Sequence, residues 1–321
     1  MGHTIQNNGG TFDNSASFRF IYSFHMPLFV FLSGCAASYW IARLKESESN
    51  LKSLTIRLVR SSKQLLLPFL AWTILAFFVF DQKETLSEYL IKVFKQPDYS
   101  LWFLPCIFWC ILYTCIFYAL IHIIENLLNK ISLIRLSGLL SNPLLQFFLL
   151  ILSWSYLRTK LPSEYGLVFA NWFSGGLFFY FAVGLFSFAI LSSLKSGWIR
   201  VIPYICFFLL VPYWSKGAPN DLIGSAPMII KNTGFIHYYS YIVAISGTLV
   251  FFDLAKIVFQ LQSKYINRVL CLLGEASLGI YAVHTYFISI QPQVITPIFI
   301  SFLCFEAILL VPILRTVLLG R

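Results

Sequence analysis

The sequence predicts an all-α fold, a polytopic transmembrane helix bundle of about nine spans. Three observations predict it. The 321 residues are 58% hydrophobic and 11% charged, where a soluble domain carries about a quarter charged residues. Apolar runs of roughly twenty residues, each long enough to cross a bilayer as a helix, recur along the whole chain. The 23 Lys and Arg fall in short loops between those runs, and 33 Phe with 8 Trp exceed what a soluble core of this size needs. No polar stretch is long enough to fold alone, so residues 1–321 read as one integral membrane domain.

Residues 1–17 are polar and rich in Gly and Asn, and read as an outer N-terminal segment. They have neither the basic start nor the apolar core of a signal peptide, and Gln6 departs from the myristoylation pattern. The first span, Phe18 to Ser38, has no charge between Arg19 and Arg43. It carries Ser23, His25 and Ser33, with Pro27 expected about one turn into a single helix. An inert lipid-facing anchor has no use for those polar groups, so this end of the span faces protein or a water-filled cavity.

Residues 42–63 hold six basic and two acidic residues, with Leu51, Leu54 and Leu58 at helical spacing. They read as a cytoplasmic basic amphipathic segment lying on the membrane. Further spans are expected at 64–80, 101–122, 138–157, 171–192, 201–214, 236–257, 272–289 and 293–314. Residues 81–100 read as a loop of mixed charge, and 215–235 as a Gly/Pro-rich outer loop.

With nine spans the termini lie on opposite faces. The loop set containing 42–63, 125–137, 193–200, 256–270 and the C-terminus holds about two thirds of the Lys and Arg, so it faces the cytoplasm and the N-terminus faces outward. The net charge of +10 therefore reports orientation, and nucleic acid is excluded as its reason. The seven Cys fall almost entirely in apolar runs without a CxxC pair and read as small buried hydrophobes. No metal site is expected from the five His.

Several polar residues inside or beside the spans carry chemical proposals. His25 titrates near neutrality and reads either as a base in an outward pocket or as a packed histidine donating to a backbone carbonyl. Ser277, Tyr281 and His284 recur at helical spacing and predict a polar stripe pointing into the bundle. Arg57 and Arg60 share a face just before the second span, and Trp102 with Pro105 opens the third from outside. His122 and His237 read as interfacial, Glu275 as cytoplasmic and Glu306 as an intramembrane carboxylate. Asp253 reads as a local pair with Lys256.

The segment FHMPLFVFLSG (24–34) resembles the early segment of the membrane acyltransferase-3 family, integral membrane O-acyltransferases acting on surface polysaccharides and other glycans. Four more segments resemble that family in the right order: IRLVRSSKQLLLPF (56–69), LWFLPCIF (101–108), YFAVGLF (180–186) and LGEASLGIYAVH (273–284). Gly2-His3 looks like the family's Gly-His, whose histidine is held essential. The span that family members carry before that pair, which makes ten, has no counterpart here. Two readings of that departure stand, a start further upstream and a truncated product.

The resemblance implies transfer of an acyl group, acetyl in the first instance, from cytoplasmic acyl-CoA to a hydroxyl of a glycan in the bacterial inner membrane. It implies His3 as catalytic base or acyl relay, with His25 second. Arg57 and Arg60 suit the phosphates of CoA, a donor substrate and not a bound cofactor. Trp102, Tyr281 and His284 are the acceptor-side candidates. Each keeps a plainer reading: a terminal loop residue, a core histidine, membrane-anchoring arginines, a belt tryptophan. Expected partners are acyl-CoA, a glycan acceptor, membrane lipids and polysaccharide biosynthesis proteins. A glycan or lipid-linked sugar transporter and an inactive relative are the competing readings.

Overall fold

The computed structural model describes residues 15–45, 50–80, 84–95, 101–160, 177–193, 198–215, 233–261, 263–284 and 295–320. The helices among them are α1 (Ala16–Tyr22), α2 (His25–Lys45), α3 (Asn50–Val79), α4 (Leu86–Lys95), α5 (Phe103–Lys130), α6 (Ile134–Leu140), α7 (Pro143–Lys160), α8 (Leu177–Ser193), α9 (Trp198–Leu210), α10 (Thr233–Gln260), α11 (Lys264–Val283), α12 (Ile295–Leu310) and α13 (Pro312–Leu319). A 3₁₀ turn, Val211–Tyr213, follows α9.

Among the described residues, five stretches are long and apolar enough to cross a membrane: Ala16–Arg43, Leu51–Val79, Phe103–Lys130, Tyr238–Gln260 and Lys264–Val283. Four shorter apolar helices accompany them, Pro143–Leu157, Leu177–Phe188, Arg200–Tyr213 and Ile298–Leu310. Large apolar side chains stand on the outside, Phe78 at 68% exposure among them. In water such a surface is a liability, and in lipid it is the required one. The protein is an all-α, multi-pass membrane protein.

Several boundaries differ from the sequence expectation. Phe18 to Ser38 is not one helix, because α1 stops at Tyr22 and α2 starts at His25. Pro27 explains the break. Its ring would crowd the carbonyl four residues back, that of Ser23, so a continuous helix is disfavoured there and Pro27 takes the first turn of α2, where its missing N–H costs nothing. The basic segment 42–63 is shared between two helices, its start ending α2 and its remainder opening α3, which runs unbroken to Val79.

Residues 86–95, expected to lie in a loop, form α4. Thr85 and Glu88 close a capping box at its start: the Thr85 N–H donates to Glu88 Oε2 at 2.8 Å, and the Glu88 N–H to Thr85 Oγ1 at 3.4 Å. Near the end of the chain the expected single span 293–314 divides at Val311, whose extended φ/ψ of −108°/108° is what a residue before proline adopts.

The chain forms two compact units. The first comprises residues 1–29 and 193–307. Its core is aromatic: Phe18, Phe24, Phe207, Trp214 and Tyr239 are buried with Val211, Val243 and Val250. Phe24 stacks on Phe251 at 4.2 Å and meets Phe207 edge-on at 5.5 Å. Lipid is as apolar as these rings, so close packing and polar contacts hold the helices together. Helices α9 and α10 pack along their lengths, and Arg200 Nη2 pairs with Asp253 Oδ1 at 2.6 Å while Tyr204 donates to Asp253 Oδ2 at 3.1 Å.

The second unit comprises residues 30–192 and 308–321. Here α3 packs on α5, and the C-terminal α13 packs on α3. Tyr113 donates to Ser153 Oγ at 2.8 Å, linking α5 to α7, and Trp154 stacks on Phe178 of α8 at 4.2 Å. Cys106, Cys110 and Cys115 line the buried side of α5.

Candidate functional site

His25 is the first residue of α2, held at the break that Pro27 enforces. Its Nδ1–H donates to the Ile21 carbonyl at 3.1 Å, and the Tyr22 ring stands edge-on to the imidazole at 4.6 Å. A carbonyl oxygen only accepts, so Nδ1 carries a proton, and in the neutral ring the lone pair is then on Nε2. Of the two sequence readings, a donor to backbone and a base, the structure shows the first.

His284 repeats the arrangement at the end of α11. Its Nδ1–H lies 2.8 Å from the Tyr281 carbonyl and 3.1 Å from that of Ile280, again leaving the lone pair on Nε2. The Tyr281 and His284 ring centroids are 6.2 Å apart, and both residues are half-buried. Ser277 does not join them: it is exposed, and its hydroxyl donates to the Gly274 carbonyl at 2.7 Å. The polar stripe is therefore two residues long.

On the other candidate face, Arg57 and Arg60 lie one turn apart on α3. Arg57 is half-buried, with its guanidinium 5.5 Å from the ring centroid of Trp40 in α2, while Arg60 is exposed. Trp102 occupies the N-cap of α5, half-buried and edge-on to Phe103 at 6.2 Å. His25, Tyr281 and His284 belong to the first unit, and Arg57, Arg60 and Trp102 to the second. His3 and the loop 216–232 lie outside the described residues.

Other expectations change in detail. Asp253 takes Arg200 of α9 as its ion-pair partner at 2.6 Å, not the local Lys256 that helical spacing pointed to. His122 does not end its span, since Ile123, Ile124 and Leu127 continue α5 to Lys130. Its Nε2 lies 3.1 Å from Asn126 Nδ2, so the ring accepts there from the amide. Glu275 and Glu306 are both exposed, and the His237 side chain lies outside the described ones.

Two residues went unremarked in the sequence. Arg19 served only to mark the edge of an apolar run, yet its Nη1 donates to the Pro212 carbonyl at 2.6 Å and ties α1 to the turn after α9. Trp40 looked like one more apolar residue, and its place against Arg57 depends on a chain reversal that no local pattern encodes.

The packing of the family-like segments is also on view. Gly34, in the first of them, and Gly184, in YFAVGLF, stand where α2 and α8 cross. A family model described as an acyltransferase domain, acyltransferase-3, matches residues 1–319. The chain belongs to the membrane acyltransferase-3 family. No curated protein and no solved structure matches it. Acyl transfer is the activity class of that family, and this acyltransferase-3 chain carries its five family-like segments on α2, α3, α5, α8 and α11.

Proposed function

We propose that this protein is a membrane O-acyltransferase that moves an acetyl group from cytoplasmic acetyl-CoA to a hydroxyl of a surface polysaccharide or glycan precursor. The observation that carries the reading is the full-length acyltransferase match over residues 1–319. Among the described residues, five long apolar helices and four shorter ones support a multi-pass topology, and the nine-span arrangement read from the sequence is the one proposed here. In it the N-terminal segment 1–17 faces outward, and 42–63 and the C-terminus face the cytoplasm, in a bacterial inner membrane.

His3 and His25 are the bases: one takes the proton of the acceptor hydroxyl as its oxygen attacks the acyl carbonyl. The C–O bond forms, the bond to the leaving group breaks, and the proton passes to that group. Trp102, Tyr281 and His284 contribute stacking and hydrogen bonds to the sugar. Arg57 and Arg60 meet the phosphates of CoA.

The test is the O-acetyl content of the surface glycan in strains carrying wild-type protein, His3→Ala or His25→Ala at matched protein level. Loss of O-acetyl groups in both variants is expected. Full acetylation in both would sink the catalytic assignment, since a transporter tolerates loss of either histidine.

A further inference from the structure

A polar hydrogen without an acceptor is expensive inside a membrane helix bundle, so a group of them points to an occupant. Three stand together in the second unit. Arg57 and Ser61 are four residues apart on α3 and so share a face, and the Arg57 guanidinium lies over the Trp40 ring at 5.5 Å. Arg57 Nε, Ser61 Oγ and Trp40 Nε1 are all buried, and no described residue forms a hydrogen bond with any of them. Ser61 is 1% exposed.

The neighbours on α3 show that this is not the habit of the helix. Thr55 donates to the Leu51 carbonyl at 3.0 Å and Ser62 to that of Val59 at 2.9 Å, the ordinary way a helical hydroxyl satisfies itself. Ser61 does not turn back. Nor is the cation neutralised: among the described residues no carboxylate pairs with Arg57, and Arg60 one turn on adds charge of the same sign. A guanidinium and an indole N–H only donate, and a hydroxyl donates as readily as it accepts. Their complement is an anionic group with several acceptor oxygens. A phosphoryl group has that chemistry, and a single water would leave the charge uncompensated.

We propose that Trp40 and Ser61 complete a phosphoryl-binding site around Arg57. The face of Trp40 orients the guanidinium, and the indole N–H, the Ser61 hydroxyl and Arg57 Nε–H donate to phosphoryl oxygens. The source of the phosphoryl group rests on the function proposed above, under which it is the diphosphate of acyl-CoA. A phospholipid headgroup offers the same chemistry.

Binding measurements on the whole protein in nanodiscs distinguish the two sources. In neutral phosphatidylcholine discs, titrated with CoA, Trp40→Phe and Ser61→Ala are each expected to weaken binding about tenfold, the cost of one hydrogen bond to a charged group. Ser62→Ala, which alters a hydroxyl already satisfied on its own helix, leaves it unchanged. Both test variants keep the packing, since Phe retains a ring under Arg57 and Ala removes one oxygen; matched size-exclusion profiles verify it. The second arm measures the thermal stabilisation given by phosphatidylglycerol discs without CoA. If wild type ignores CoA but this stabilisation disappears in W40F and S61A, the site stands with a lipid headgroup in it and the acyl-CoA reading fails. If wild type binds CoA and neither variant changes the CoA or the lipid response, the site is overturned while the acyl-CoA reading survives. Indifference of wild type to both probes overturns both.

Discussion

Gly34 and Gly184 occupy each other's crossing point. A Cβ on Gly34 would stand 2.1 Å from the Phe181 carbonyl oxygen, and one on Gly184 would stand 2.1 Å from that of Phe31. Both obstacles are backbone, which no rotamer change relieves, so α2 and α8 must part to admit a methyl group at either position. Small residues that let helix backbones touch are the usual device for association in lipid, where the hydrophobic effect gives no help. Gly34→Ala and Gly184→Ala are each expected to lower stability by about 1–3 kcal/mol, as overpacking does. The double variant should lose less than the sum, because one separation of the helices accommodates both methyl groups. Thermal unfolding of the four proteins in one detergent checks this, and strict additivity would refute a shared crossing.

The C-terminal helix is held to α3 by two contacts of different kinds. The Trp72 indole N–H donates to the Leu318 carbonyl at 2.9 Å. Two residues on, Gly320 caps α13 with φ of 67°, and a Cβ there would lie 2.5 Å from Gln64 Cα. Pro68 has no N–H to offer the Gln64 carbonyl, so the chain end seats against a stretch of α3 where helical bonding is already interrupted. Gly320→Ala meets both the left-handed conformation and the backbone of α3, and is expected to detach α13. Trp72→Phe loses about 1 kcal/mol, one net hydrogen bond. Limited proteolysis should cut G320A near its C-terminus faster than W72F, and W72F faster than wild type.

How much of this was legible follows from the range of each interaction. The apolar runs and the one-turn spacing of Arg57 and Arg60 are local patterns, and helices carry them. The division of the first span was legible in part, since Pro27 disfavours an unbroken helix through Ser23, although α3 carries Pro68 without breaking. So was α4: Thr85-Leu86-Ser87-Glu88 is a capping-box pattern before an apolar run, passed over because mixed charge suggested a loop. The unbroken α3 runs against the rise in charge over 42–63, which reads as an end, while Leu51, Leu54 and Leu58 keep helical spacing throughout. Trp40 against Arg57 and Arg200 against Asp253 were out of reach. Each joins two helices, and the sequence offered for Asp253 only a nearer cation, Lys256.

The Arg200, Tyr204 and Asp253 cluster ties α9 to α10, and its three members are predicted to be coupled. Asp253→Ala leaves a cation facing an apolar helix surface, so it should destabilise more than removing both partners. A double replacement with apolar residues of similar size, Arg200→Met with Asp253→Leu, should recover part of the loss. Tyr204→Phe, which removes one of the two contacts to Asp253, should have the smallest effect. A double-mutant cycle read by thermal unfolding gives the coupling between positions 200 and 253, and zero coupling would mean that the pair is incidental.

Acid should weaken α4 through Glu88. Hydrogen bonds from the Thr85 N–H and, at 2.7 Å, from the Thr85 hydroxyl hold the Glu88 carboxyl below its ordinary value of 4.5. A carboxyl lowered on folding contributes stability that is fully present above its unfolded value, and that contribution is lost as pH falls through the folded one. Wild type should therefore be more stable than Glu88→Gln at pH 7. The difference should hold to about pH 5 and close progressively below pH 4.5, because protonated Glu88 no longer accepts both bonds as an anion. Full exposure of the group keeps the effect small, so the readout belongs on the helix itself: the side-chain carboxyl shift of Glu88, followed by NMR from pH 7 to pH 3. Titration at or above the ordinary glutamate value would show that the capping box does not form in solution. In Thr85→Val, which keeps the N–H and removes the hydroxyl, the midpoint should move part of the way back up.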